Sequence, residues 1–314
     1  MFFVKKFFMA MMITSLISIC QLKGMSNADL QAAHEVACKL AEIKDAKDAE
    51  KTFQALKELQ DQPYTPEAIA EGLKTYLQTN KYLSSWGNRY SMMFCRDRNR
   101  QTLLHLACDS GSTHLVKAIM MAAGDTLFEY LITQDGSDHL PIDNAIRNGY
   151  LEIVDIIIDA ARNRAWKLIC PKREFNNSTS LHLAALYGHN AIVTRLIAFA
   201  RQTHHDIYDF ISIVNNGNAT ALHNAALGGE AQICTMLIDE AKIAGKAVEF
   251  LDIKNWQGRT ALDVALWRLE QSDDSEDSDD SEDDECTIQE ERERLEKVIE
   301  EISNARRCLG MPVN

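Results

Sequence analysis

Thr179-Ser180-Leu181-His182-Leu183-Ala184-Ala185-Leu186-Tyr187-Gly188-His189 returns in altered form four times along the chain. Thr102-Leu103-Leu104-His105-Leu106-Ala107-Cys108 leads to Gly111, and Leu140-Pro141-Ile142-Asp143-Asn144-Ala145-Ile146 leads to Gly149. Thr220-Ala221-Leu222-His223-Asn224-Ala225-Ala226 leads to Gly229. Thr260-Ala261-Leu262-Asp263-Val264-Ala265-Leu266 has no matching Gly. The first positions lie 38, 39, 41 and 40 residues apart. Four residues beyond each Gly an apolar pattern restarts at i, i+1, i+4 and i+5: Leu115-Val116 with Ile119-Met120, Ile153-Val154 with Ile157-Ile158, Ile192-Val193 with Leu196-Ile197, and Ile233-Cys234 with Leu237-Ile238. Self-similarity at a near-constant period is the mark of a stacked array.

Each copy reads as two short helices. A Thr caps the first, a Gly ends it in a backbone conformation that a Cβ disfavours, and the second buries one apolar stripe. Asp97, Asp135, Asn215 and Asn255 precede the copies as turn residues, with Gly258 two before Thr260. One such unit cannot bury its own apolar face, so the copies must pack on one another.

The pattern resembles the ankyrin repeat, whose signature is T-P-L-H-x-A. The resemblance covers roughly 97–270; only Pro141 keeps the family's Pro, and each copy carries about six residues more than the family period. It implies an all-α ankyrin-repeat solenoid with short β-hairpin or turn loops and an N-terminal helical cap. It also implies a non-catalytic module that binds a protein partner on a concave face made of hairpin tips and first-helix surfaces. The His at the signature position, here His105, His182 and His223, is then structural and orders neighbouring loops.

The extra residues follow the second helix and offer apolar pairs about a turn apart, as in Leu127-Phe128 with Leu131-Ile132, or Trp166 with Ile169. They read as a further helical turn packed on the array, with Trp166 a packing residue. Upstream, 26–96 reads as an N-terminal helical region: Leu30, Ala33, Val36, Ala37 and Leu40 share one face, and Thr65-Pro66 opens another helix. Downstream, 271–287 reads as an acidic disordered insertion, and 288–310 as a C-terminal capping helix with Leu295, Val298, Ile299 and Ile302 on one side.

The formal net charge of −13 is local in origin, because residues 273–285 hold ten carboxylates and no base. Without them 36 acids face 33 bases, and no basic patch gives the electrostatic footprint of a nucleic-acid binder. The acidic tract reads as a solvated spacer, a bait for a basic partner, or a set of phosphorylation sites at Ser275, Ser278 and Ser281.

Residues 1–24 open with Lys5 and Lys6 and run apolar from Phe7 to Cys20, too short a stretch to span a bilayer, which takes about 20 residues. A secretory signal peptide fits; an upstream extension before Met25 is the alternative. Eight cysteines without a C-x-x-C give no disulfide framework or zinc site, and thiols inside the repeats favour a reducing final compartment. A bacterial protein exported and then delivered into a host cell meets both conditions; a cytoplasmic protein is the alternative. No stable membrane insertion is expected after processing.

No phosphate loop, nucleophile elbow or metal-ligand spacing occurs, so no catalytic residue, cofactor or metal is assigned; His204-His205 lacks ligating neighbours. The competing readings are an effector enzyme with its catalytic part in 26–96, and a membrane-tethered scaffold. The candidate partner-binding residues sit at the hairpin tips: Phe175, Trp256, Arg259, Arg98 and His139. Large aromatics and Arg are the residues that most often carry binding energy.

Overall fold

The computed structural model describes residues 25–41, 49–60, 64–79, 96–170, 177–273 and 282–313; the candidate signal peptide and Phe175 lie outside these residues. The chain divides into two compact units, one ending at Ala165 and the other beginning at Trp166. The described residues hold helices and turns but no strand. The fold is an all-α ankyrin-type solenoid, and its tips are turns closed by one or two backbone bonds, too short for a β-ladder.

The N-terminal unit starts with α1 (Asn27–Ala41), α2 (Ala49–Gln60) and α3 (Pro66–Thr79). Ala33, Val36, Leu40, Leu56, Ile69 and Leu73 are fully buried among them. Gly72 sits where α3 meets α1, and a Cβ there would lie 2.5 Å from Ala33 O and 2.6 Å from Val36 Cβ. Repeat one follows as α4 (Leu103–Asp109) and α5 (Thr113–Ala123), with the short α6 (Leu127–Leu131) after them. Repeat two is α7 (Pro141–Arg147) and α8 (Leu151–Ala161). Helix α3 packs on α5 and α2 on α4, so the N-terminal helices cover the outward side of repeat one.

The C-terminal unit opens with α9 (Trp166–Ile169) and continues with α10 (Ser180–Leu186), α11 (Asn190–Gln202) and α12 (Ile207–Ile211). Next come α13 (Ala221–Gly228), α14 (Ala231–Ile243) and α15 (Ala247–Leu251), then α16 (Ala261–Asp273) and α17 (Glu282–Cys308). First helices lie side by side, α10 on α13 and α13 on α16. Helix α17 packs on α14 and α16, and Leu295, Val298 and Ile302 are buried beneath it, so it takes the place of a second helix in repeat five. It begins at Glu282, inside the acidic run.

All four apolar stripes of the second helices are buried at every position the period marks. The short helices α6, α9, α12 and α15 lie where the extra residues fall. Phe128, Leu168, Phe210 and Phe250 are buried under them, and Trp166 stacks on His205 with ring centroids 3.6 Å apart. Gly111, Gly149, Gly188 and Gly229 all have φ of 74–75°. A Cβ at Gly111 would meet the Tyr150 ring at 2.7 Å, so side-chain space as well as φ demands Gly there.

The first helices that begin on Thr carry the expected hydroxyl cap and one further bond. The Thr hydroxyl turns to the side chain three residues on, and that side chain accepts the backbone N–H of the cap. Thr102 N–H donates to His105 Nδ1 at 3.2 Å with Thr102 Oγ1 at 2.8 Å from the same nitrogen, and Thr179 with His182 and Thr220 with His223 repeat the arrangement. In repeat two Leu140 has no hydroxyl, and Asp143 Oδ2 accepts its N–H at 2.7 Å. This is the reciprocal half of a capping box, run with imidazole or carboxylate in the third position.

Candidate partner-binding site

The tips at Asp97, Asp135, Asn215 and Asn255 are each shaped by that one Asx residue. Asp135 Oδ1 accepts from Ser137 N at 2.7 Å and His139 N at 2.9 Å; Asn215 Oδ1 accepts from Gly217 N and Ala219 N; Asn255 Oδ1 accepts from Gln257 N and Arg259 N, both at 3.0 Å. These side chains mimic a backbone turn. Neighbouring tips are then tied together: Gly136 N–H donates to Asn99 O at 2.8 Å in the N-terminal unit, and Trp256 N–H to Gly217 O at 2.9 Å in the C-terminal unit.

From inside, the histidines hold the same tips. Nδ1 of each accepts a backbone N–H, which leaves the proton on Nε2, an assignment made from the hydrogen-bond network. His105 Nε2 then donates to His139 O at 3.0 Å, His182 Nε2 to Ala219 O at 3.0 Å, and His223 Nε2 to Arg259 O at 3.2 Å. Burial, opposed by those hydrogen bonds, holds His105 and His223 below the usual imidazole pKa, so they stay neutral.

On the last tip, Trp256 is 75% exposed although its backbone is fixed. It edges Gly217, where a Cβ would come 3.4 Å from Trp256 Cδ1. The ring thus lies along the edge of the neighbouring turn with most of its surface in solvent. Arg259 on the same tip is half-buried: its guanidinium lies 4.7 Å from the Trp267 ring centre and donates to Gln257 Oε1 at 3.2 Å. Trp256 and Arg259 are the two sequence candidates that the structure brings together.

The other described candidates belong to the N-terminal unit. Arg98 is exposed on the first tip. His139 is tucked in: Arg147 Nη2 donates to its Nε2 at 2.7 Å, and its Nδ1 lies 3.7 Å from Asp135 Oδ1. Burial alone would raise the Asp135 pKa, but the hydrogen bonds from His139 and Ser137 outweigh it and hold the carboxyl at about 2.

Sequence reasoning missed the inner row behind the C-terminal tips. The eighth register position of the repeats is Leu186, Leu227 and Trp267 on α10, α13 and α16, joined by Tyr187 beside Leu186. Leu227 is 38% and Tyr187 45% exposed, and Leu186 and Trp267 are half-buried. The signal was present as an apolar residue at the eighth position of three successive copies.

Nothing in the described residues gathers three or more His, Cys, Asp or Glu side chains into a metal site. Burial pushes the thiols of Cys108 and Cys234 well up and that of Cys170 to about 12, so at neutral pH none is a thiolate. Among the described residues no helix is long and apolar enough to cross a membrane.

Paired helices repeated along the chain, tips tied to tips and a ladder of neutral histidines place this molecule among the helix-pair repeat proteins. The model of the ankyrin repeat family matches residues 157–247 and 181–273 in three copies, so this stretch of the chain carries ankyrin repeats. Such repeats mark a protein–protein interaction module. Among solved structures, the ankyrin repeat domain of Bcl-3, described as a unique member of the IkappaB protein family, is 15% identical with a TM-score of 0.45, over 73% of this chain and 92% of that one. No curated protein matches the sequence.

Proposed function

We propose that the chain is a non-catalytic binding protein that engages a protein partner through the tips and inner row of its C-terminal unit. The observation that carries this is the exposed Trp256, held on a tip fixed by Asn255 and Gly217, in a unit whose first helices also expose Leu227 and Tyr187. A large aromatic on a rigid support loses little freedom on binding and suits a hot spot. Affinity capture from cell lysate with the native chain and with Trp256→Ala tests it. A partner retained by the first and lost by the second, at equal melting temperature, supports the reading. Equal capture by both overturns it.

Export by residues 1–24 and action inside a host cell complete the proposal. Lys5, Lys6 and the apolar run to Cys20 support the first; free cysteines, among them the exposed Cys308, favour a reducing compartment and support the second. The N-terminal mass of the protein recovered from culture medium decides on cleavage. A mass that retains Met1 would argue against a signal peptide.

A further inference from the structure

We propose that the C-terminal face takes an acidic segment of a protein partner, studded with apolar side chains. Carboxylates would meet Arg259 and Lys254, and the apolar groups Trp256, Leu227 and Trp267. The inference rests on the reading that this face binds a protein, and adds the chemistry of what it binds.

Charge complementarity is the first argument. The chain has 46 acids to 33 bases, yet the last tip, residues 254–260, carries Lys254 and Arg259 and no carboxylate. The preceding tip, Asn215 to Ala219, is uncharged. Most neighbouring cations are already matched: Arg201 with Glu240, Lys242 with Asp239, Arg268 with Glu291, Arg294 with Glu230 and Arg306 with Asp252. Among the described residues Lys254 and Arg259 have no carboxylate partner. The carboxylates closest in sequence are engaged elsewhere, Asp252 on Arg306 and Asp263 on the Thr260 N–H and hydroxyl, both at 2.8 Å.

Geometry is the second. The Trp267 ring and Gln257 Oε1 already orient the Arg259 guanidinium. A carboxylate arriving there meets an ordered fork and needs little rearrangement. The apolar row runs directly behind it on helices that pack side by side.

The chain's own acidic run does not fit this description: residues 273–285 hold ten carboxylates and no apolar side chain to meet Trp256 and Leu227. The proposed occupant is therefore a segment of another molecule.

The test is selection of a random twelve-residue peptide library on the full-length protein, then affinity measurement by fluorescence anisotropy. Enriched peptides should combine an excess of Asp and Glu with Leu, Phe or Trp. Affinity should fall at least tenfold in Trp256→Ala and severalfold in Lys254→Glu, and weaken severalfold from 50 to 300 mM salt. Arg259→Glu should cost at least tenfold; Lys254→Glu, fully on the surface, covers the case in which loss of the Trp267 contact unfolds that variant. Basic or uncharged peptides that still depend on Trp256 would overturn the charge assignment and leave the interaction reading standing. Peptides indifferent to Trp256→Ala, Lys254→Glu and Arg259→Glu would overturn both. No enrichment by a folded protein would overturn the acidic-segment proposal alone, as would tighter binding of a single-stranded oligonucleotide, or self-association that Trp256→Ala abolishes.

Discussion

The inner faces of the two units share one repeat register but differ in chemistry. In the N-terminal unit the eighth positions are Asp109 and Arg147, and the polar groups there satisfy one another: Asn148 Nδ2 donates to Asp109 Oδ1 at 3.1 Å, and Arg147 donates to His139. In the C-terminal unit the same positions are Leu186, Leu227 and Trp267; Arg259 lies over Trp267, while Leu227 stays exposed. The buried scaffold beneath is alike in both, with Leu104 and Leu181 at 0–1% exposure and a His on the next tip. The repeat period therefore specifies the scaffold, while the residues it leaves free decide which surface is ready for a partner.

The comparison fails first if the register is wrong. Leu181→Ala should cost about 2–5 kcal/mol by thermal or denaturant unfolding, and Leu104→Ala a similar amount. A cost under about 0.5 kcal/mol at Leu181 would mean that it is not core and that the face behind it is misassigned. Next in size, Trp256→Ala should weaken partner binding by at least about 2 kcal/mol with the melting temperature nearly unchanged, whereas Arg98→Ala in the other unit should leave binding within about 0.5 kcal/mol. If both variants weaken binding equally, the two faces are one surface in function.

Acid separates the units further. His105 and His223 have folded pKa values below the unfolded value near 6.5, so the unfolded chain takes up protons first. Their stabilising contribution is present above about pH 6.5 and is lost as pH falls below it, in both units. Asp135 adds a second loss confined to the N-terminal unit: its contribution is present above about pH 4 and disappears as pH falls through about 2. Denaturant titration from pH 7 to pH 2 should show both phases. Asp135→Asn should shrink the lower one, since Asn215 and Asn255 build the same turn without a charge. The smallest effect concerns the exposed row: Leu227→Ser should change stability by no more than about 0.5 kcal/mol. A larger loss would show that Leu227 is packed and the row is closed.

Stripes such as Ile192-Val193 with Leu196-Ile197 were readable in the sequence because a second helix runs for three turns and its period repeats. The turn Asx residues and the Gly of the first four copies were readable because their geometry admits few residue types. First helices of seven or eight residues are too short for periodicity to separate Leu183, which is buried, from Leu186, which is half-open. Exposure of Trp256 rests on how its tip is tied to Gly217, a contact between copies that a single copy does not encode. His139 looked like a free tip residue; Arg147, from the following helix, occupies it. The first-helix Thr was readable as a cap; that the imidazole three residues on would accept its backbone N–H was not.

The histidine ladder has a direction. In the C-terminal unit each rung runs forward, from the ring of one copy to the carbonyl of the next, His182 to Ala219 and His223 to Arg259. An acceptor robbed of its donor at a tip can turn to water, but a buried N–H robbed of its acceptor costs the full desolvation of that group. Shortening this unit from its front therefore wets one carbonyl, while shortening it from its back strands an imidazole. The final copy avoids that end effect by chemistry: Asp263 serves its own cap and has no proton to pass on. Like roof shingles, the copies overlap one way, and the row ends on the one that needs nothing laid over it.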